Sequence, residues 1–181
     1  METPGARDEP WHGAGTRSLM DGTPGAKAHA NAVATDASPM EVALAQAHAA
    51  MARNEVPVGA VVARGSEIVA AAHNETRTGN DPTAHAEILA IRRAAARLGT
   101  DRLVGLDLHV TLEPCAMCAG AIQHARLARV YYGAEDPKGG GAVNGAGVLR
   151  RADALHRAEI YGGFYEEDAA ALLRRFFRER R

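Results

Sequence analysis

The sequence predicts a layered α/β domain, and three observations carry that prediction. Apolar runs of strand length alternate along the chain with runs at helical spacing. Capping and turn residues such as Ser38, Gly65 and Gly99 fall between these runs. The 181 residues, 46% of them hydrophobic, have room for one ordinary domain with a real core.

Residues 1–38 are rich in Gly, Ala, Pro, Thr and Asp and hold one isolated Trp11, with no apolar repeat that could bury a face. They are expected to be a disordered tail, with the domain over residues 39–181. Ser38 then precedes "PMEVALAQAHAAMARNE", where Pro39 suits a first turn and Met40, Leu44, Ala47 and Met51 recur at helical spacing. His48 in this helix has no local partner and is read as a packing or surface residue. "VGAVVARG" and "EIVAAAHN" predict two short strands joined by a turn at Arg64, Gly65 and Ser66. A helix follows from Thr83 to Leu98 through Ile88, Leu89 and Ile91, stopped by Gly99. "DLHVTL" reads as a strand, "CAMCAGAIQHARL" as a helix, "ARVYYGA" as a strand and "RAEIYGG" as a shorter one. "EEDAAALLRRFFRERR" closes the chain as an amphipathic helix with a basic end. Five strands interleaved with helices predict a sheet covered on both faces.

Charge narrows the function. Lys and Arg number 21 against 22 Asp and Glu, so no broad field favours indiscriminate binding to nucleic acid or anionic lipid. No apolar run approaches the roughly 20 residues that span a bilayer, and no secretory signal opens the chain, so no membrane partner and a cytoplasmic location are expected. The two cysteines, Cys115 and Cys118, stand three apart, a spacing that suits a metal or redox site better than a structural staple.

On a helix that spacing puts both sulfurs on one face, and a helix N-terminus favours the thiolate that a metal needs. His85 opens another predicted helix, in "PTAHAEILAI". If the strands before the two helices are neighbours, both helix starts lie at one sheet edge, where open α/β sheets place their sites. Three readings of the cysteines stand at this point. They could cycle as a dithiol, or join His85 and a second histidine (His73, His109 or His124) in a closed structural zinc site, or form with His85 a three-ligand site with one position open, as catalytic zinc requires. Glu87 lies two residues from His85 and does not share its helix face, which suits a proton carrier better than a ligand.

The pairing of "AHAE" with "PCAMC" resembles the zinc-dependent cytidine and deoxycytidylate deaminase superfamily. More narrowly, "NEVPVGAVV", "HNE", "DPTAHAEILAIR", "VTLEPCAMCAGAI", "ARVYYGAEDPK" and "FFRERR", in that order, resemble the bacterial tRNA-specific adenosine deaminases from Met40 to Arg181. The resemblance implies a three-layer α/β/α sandwich with a five-stranded mixed sheet. It implies a homodimer that hydrolyses the wobble adenosine of a tRNA anticodon, an arginine tRNA first among candidates, to inosine. One Zn2+ per subunit would be bound by His85, Cys115 and Cys118, with Glu87 as proton shuttle. Asn74 and the backbone of Ala86 would meet the flipped nucleoside, and Asp136 and Lys138 the RNA. Phe176 and Arg178, in the basic aromatic end of the last helix, would add stacking and phosphate contact. "KGGGAVNGAG" is expected to be a flexible, substrate-facing loop. Leu155 stands where many members of the family carry Asn, so a polar RNA contact there is not expected.

Overall fold

Ser38 opens the first helix, α1 (Pro39–Ala52), with a reciprocal cap: its hydroxyl accepts from the Glu41 amide at 3.3 Å and its own amide donates to the Glu41 carboxylate at 2.6 Å. This is a computed structural model, and it describes residues 37–180. The expected N-terminal tail through residue 36, with Trp11, and Arg181 lie outside the described residues.

After α1 the chain forms β1 (Gly59–Arg64), β2 (Glu67–His73), α2 (Ala86–Leu98), β3 (Asp107–Leu112), α3 (Ala116–Ala125) and β4 (Arg129–Ala134). A 3-10 turn (Val148–Arg150), β5 (Glu159–Tyr161) and α4 (Glu166–Arg178) complete it. The hairpin turns at Gly65, whose φ of 59° suits a residue without Cβ. Gly99 ends α2 in the left-handed conformation, as its position predicts. The helices are shorter than their periodicity suggested: α2 starts at Ala86 and α3 at Ala116, because His85 and Cys115 are extended N-cap residues.

The sheet has the order β2-β1-β3-β4-β5, antiparallel from β2 through β1 to β3 and parallel from β3 to β5. Strand alternation feeds two cores. Val61 and Ala63 of β1 pack with Met40 and Ala43 of α1, whereas Ala60 and Val62 face the cluster that includes Ala90 of α2 and Ile122 of α3. Helices α1 and α4 therefore cover one face and α2 and α3 the other, giving three layers. α1 lies so close that a Cβ added at Gly59 would sit 2.0 Å from the Ala43 carbonyl oxygen.

The strands that precede α2 and α3 are not neighbours, since β1 lies between β2 and β3. Both helix starts nevertheless reach one edge. β2 and β3 each run antiparallel to β1 and hence parallel to each other, so their C-terminal ends coincide.

Candidate metal centre and active site

His85 and Cys115 occupy the N-cap positions of α2 and α3, and Cys118 lies one turn into α3. The His85 Nδ1 atom stands 3.7 Å from Cys115 Sγ and 3.5 Å from Cys118 Sγ. Three donors bound tetrahedrally at ordinary zinc distances would have N to S separations of about 3.6 Å. The spacing therefore fits a metal ion gripped by these three side chains. Among the described residues the cluster comprises these three alone. His73 bonds the Asn74 carbonyl oxygen at 2.9 Å, His109 stacks on Tyr131, and His124 is exposed on α3, so among the described residues no second histidine joins the set.

The thiols differ in state. The Cys118 side chain and the His85 ring hold Cys115 down at about 4 despite its half-burial. Its sharing with Cys115, together with burial, drives Cys118 upward, so a cation is needed before both sulfurs ionise. Contact with Cys115 raises His85. Glu87 is 4% exposed, and burial pushes its carboxyl above the usual range. A carboxyl raised in this way keeps its proton more readily than an exposed one, which suits a group that takes up and returns protons.

These groups open into a cleft of about 270 Å³, room for one planar heterocycle. Val56, Val58 and Leu112 make its apolar wall, and Asn74, Thr76, Asp136 and Gly139 stand on its rim with His85, Glu87 and Cys115. Asn74 lines the cleft, its Oδ1 accepting from the Ala86 amide at 3.1 Å. Ala86 itself is fully buried. Asp136 Oδ1 accepts from the amides of Lys138 and Gly139 at 3.2 and 2.9 Å, and the Lys138 side chain is exposed.

Two expectations need correction. Phe176 is 1% exposed, packed under α4 with the Arg180 guanidinium 3.6 Å from its ring centroid, so it is core and cannot stack on a base. The exposed ring is Phe177, at 52%, which shares a surface groove with Arg174 and Arg178. The glycine-rich loop is not free chain. The Gly141 amide donates to the Pro114 carbonyl at 2.8 Å, and Val143 and Asn144 donate to the Glu113 carboxylate, each at 2.8 Å. Leu155 is 61% exposed in the segment before β5.

Sequence reasoning assigned no role to Glu55 or Glu113, both buried, of which Glu113 lines the cleft and Glu55 is held by the neighbouring Thr76 that does. Glu55 accepts from the Arg77 and Thr78 amides at 2.9 and 2.7 Å and from the Thr76 and Thr78 hydroxyls at 3.3 and 3.0 Å. The available signal was a carboxylate set into an apolar stretch, "NEVPVG" for one and "TLEPC" for the other.

The family model for MafB19-like deaminases matches residues 35–181. A tRNA-specific adenosine deaminase of Agrobacterium fabrum is 50% identical over 142 residues, covering 78% of this chain and 93% of the relative. The chain belongs to this deaminase family. A solved structure from work on A-to-I editing by tRNA:A34 deaminases at the wobble position of transfer RNA shares 48% identity with the deaminase described here. It covers 75% of this chain and 98% of its own, with a TM-score of 0.73. The match extends to the five-stranded mixed sheet and its helix layers. A guanine deaminase of Nitrosomonas europaea has the same fold at greater distance: 25% identity, 76% of this chain and 82% of that one, TM-score 0.65. Among the described residues no helix is long and apolar enough to cross a membrane.

Proposed function

We propose that this enzyme hydrolyses the wobble adenosine of a tRNA anticodon to inosine, with one Zn2+ per subunit held by His85, Cys115 and Cys118. The observation that carries the reading is the cluster of one imidazole and two sulfurs at tetrahedral spacing, beside the buried Glu87. The deaminase domain is read as residues 39–181, and the relatives' tRNA substrate favours RNA over a free base.

Zinc held by His85, Cys115 and Cys118 would supply Lewis acidity, which lowers the pKa of a water from about 15.7 toward roughly 7. Glu87 then does the proton work. Water adds its oxygen to carbon 6 of adenine as Glu87 carries a proton from that water to ring nitrogen 1. The carbon to amino-nitrogen bond breaks once Glu87 has moved the remaining proton from the new hydroxyl oxygen to the amino nitrogen, and adenosine plus water becomes inosine plus ammonia. Asn74, fixed through the Ala86 amide, holds the nucleoside, and the apolar wall at Val56, Val58 and Leu112 excludes bulk water from the base. A base enters such a cleft only after leaving its stack, which costs less in an anticodon loop than in a duplex.

Asp136 and Lys138 face the RNA from the neighbouring loop, and Arg178 beside Phe177 offers a guanidinium and an exposed ring on α4. The enzyme acts as a homodimer in the cytoplasm, and exposed apolar side chains such as Met117 and Leu155 give a second copy surface to cover. The test is substrate choice. Incubated with an arginine tRNA bearing an ACG anticodon, and separately with free guanine and free cytosine, the protein is expected to release ammonia from the tRNA alone. Release from a free base and not from the tRNA would replace this reading with that of a free-base deaminase of the same fold.

A further inference from the structure

Among the described residues three buried carboxylates, those of Glu55, Asp107 and Glu113, take no part in the proton chemistry, and Glu113 lines the same cleft as His85 and Cys115. Glu113 is 2% exposed and directly follows the last residue of β3, two residues before Cys115. Its Oε1 accepts from the amides of Val143 and Asn144, each at 2.8 Å. Its Oε2 accepts from the Asp136 amide at 3.1 Å and the Asn144 side-chain amide at 2.7 Å. Four donors converge on one acceptor-only group.

The segment they hold is the far wall of the cleft. Asp136 and Gly139 line it, and Asp136, once fixed by Glu113, caps the amides of Lys138 and Gly139 with its own carboxylate. The same segment lies backbone to backbone against the start of α3. Gly140 bridges to Cys115, and Gly141 leaves no room for a side chain, since a Cβ there would stand 2.4 Å from the Ala116 nitrogen. At Gly140 a Cβ would meet the Glu113 carboxylate carbon at 2.7 Å. The loop is thereby pressed onto the metal-ligand segment at one end and tied to Glu113 along its length.

We propose that Glu113 is a positioning residue for the substrate: its carboxylate fixes residues 136–144 as the preformed wall against which the target nucleoside is held over the His85, Cys115 and Cys118 cluster. The proposal rests on the reading of the cleft as a tRNA adenosine site. Glu113 itself lines the cleft, but its carboxylate is taken up by the four donors of this segment, so it acts on the substrate through the wall it holds. Its loss acts through the fraction of molecules whose wall is in place, and apparent affinity falls in proportion to that fraction.

Glu113→Gln is the discriminating change. The amide keeps size and shape but turns a donor toward donors, so the wall loses at least two of its four bonds without a cavity. With an anticodon stem-loop as substrate, KM is expected to rise by about tenfold or more while kcat stays within about threefold and zinc content is unchanged. In the RNA-free protein, the amide protons of Val143, Asn144 and Asp136 are expected to exchange at least about tenfold faster. Those of Arg77 and Thr78, held by Glu55, should keep their rates.

The double variant E113Q/N144D reverses the polarity of the Glu113 to Asn144 bond and is expected to recover part of the KM loss. Asn144→Ala, which removes one donor of four, is the milder change to use if E113Q does not fold, and should shift KM and exchange in the same direction by less. Unchanged KM, a fall in kcat alone, or failure of the double variant to recover would each overturn the positioning role. Should the wild-type protein not deaminate the stem-loop at all, the substrate reading fails, and the exchange rates still judge the clamp by themselves.

Discussion

Glu55→Gln exchanges one carboxylate oxygen for an amide in the group that holds residues 76–78, and its cost can be worked from the structure. Glu55 is fully buried and receives two backbone amides and two hydroxyls from Thr76, Arg77 and Thr78. Hydrogen bonds to a charged acceptor contribute about 1.5–3 kcal/mol each, and a buried donor left facing another donor costs about 1–3 kcal/mol. Three of the four bonds go to Oε1, which glutamine keeps, and its amide can donate to the Thr76 hydroxyl, so the loss is the charge assistance of three bonds, roughly 1 kcal/mol each and about 2–4 kcal/mol together. At about 2–4 °C per kcal/mol for a chain of this size, Tm should drop by roughly 4–16 °C. Burial pushes the Glu55 carboxyl up, but the bonds from Thr78, Arg77 and Thr76 outweigh it and leave its pKa below the ordinary 4.5. The folded state thus binds this proton less readily than the unfolded chain does. Its contribution is present above pH 4.5 and fades as pH falls through the lower folded value. Thermal unfolding by circular dichroism at pH 7 and again below pH 4 reads both effects: a large gap between wild type and variant at pH 7 that narrows in acid. Equal Tm values at pH 7, or a gap that widens in acid, would refute the clamp.

Glu87→Ala should keep zinc and fold while turnover falls by about 10²- to 10⁴-fold, checked by metal analysis beside an ammonia assay. Cys118→Ala removes one of three ligands at a fully buried position, so bound zinc and activity should be lost together, as metal content per chain will report. Phe176→Ala empties a core position and should cost about 3–5 kcal/mol in denaturant unfolding, whereas Phe177→Ala should leave stability within about 0.5 kcal/mol and weaken stem-loop binding. Gly59→Val drives a side chain into the Ala43 carbonyl and should destabilise by more than about 3 kcal/mol, seen as a collapse of the urea midpoint.

The elements were legible because each obeys a local rule. Ser38 caps α1, Gly65 turns the hairpin and Gly99 ends α2, all signals that depend on a few adjacent residues. The convergence of His85 with the cysteines could be reasoned from two helix starts, although the argument assumed that β2 and β3 were neighbours. Topology supplied the same edge by another route, with β1 between them. What stayed hidden depends on contacts distant in sequence. Phe176 and Phe177 are adjacent in a basic stretch, and only the packing of α4 on the sheet decides that the first is core and the second exposed. Glu113 and Asn144 stand 31 residues apart, and no local pattern joins them. The glycines at 140 and 141 read as a flexible run, yet they are required by close backbone packing against the Cys115 helix start.

Inosine formation in a stem-loop RNA with adenosine at the wobble position, followed in zinc-loaded and chelator-stripped protein, tests the central claim most directly. The account predicts one ammonia released per inosine formed with the loaded enzyme, none after stripping, and recovery when zinc is restored. Deamination that survives removal of the metal undiminished, or that proceeds at the wild-type rate in Glu87→Ala, would contradict it.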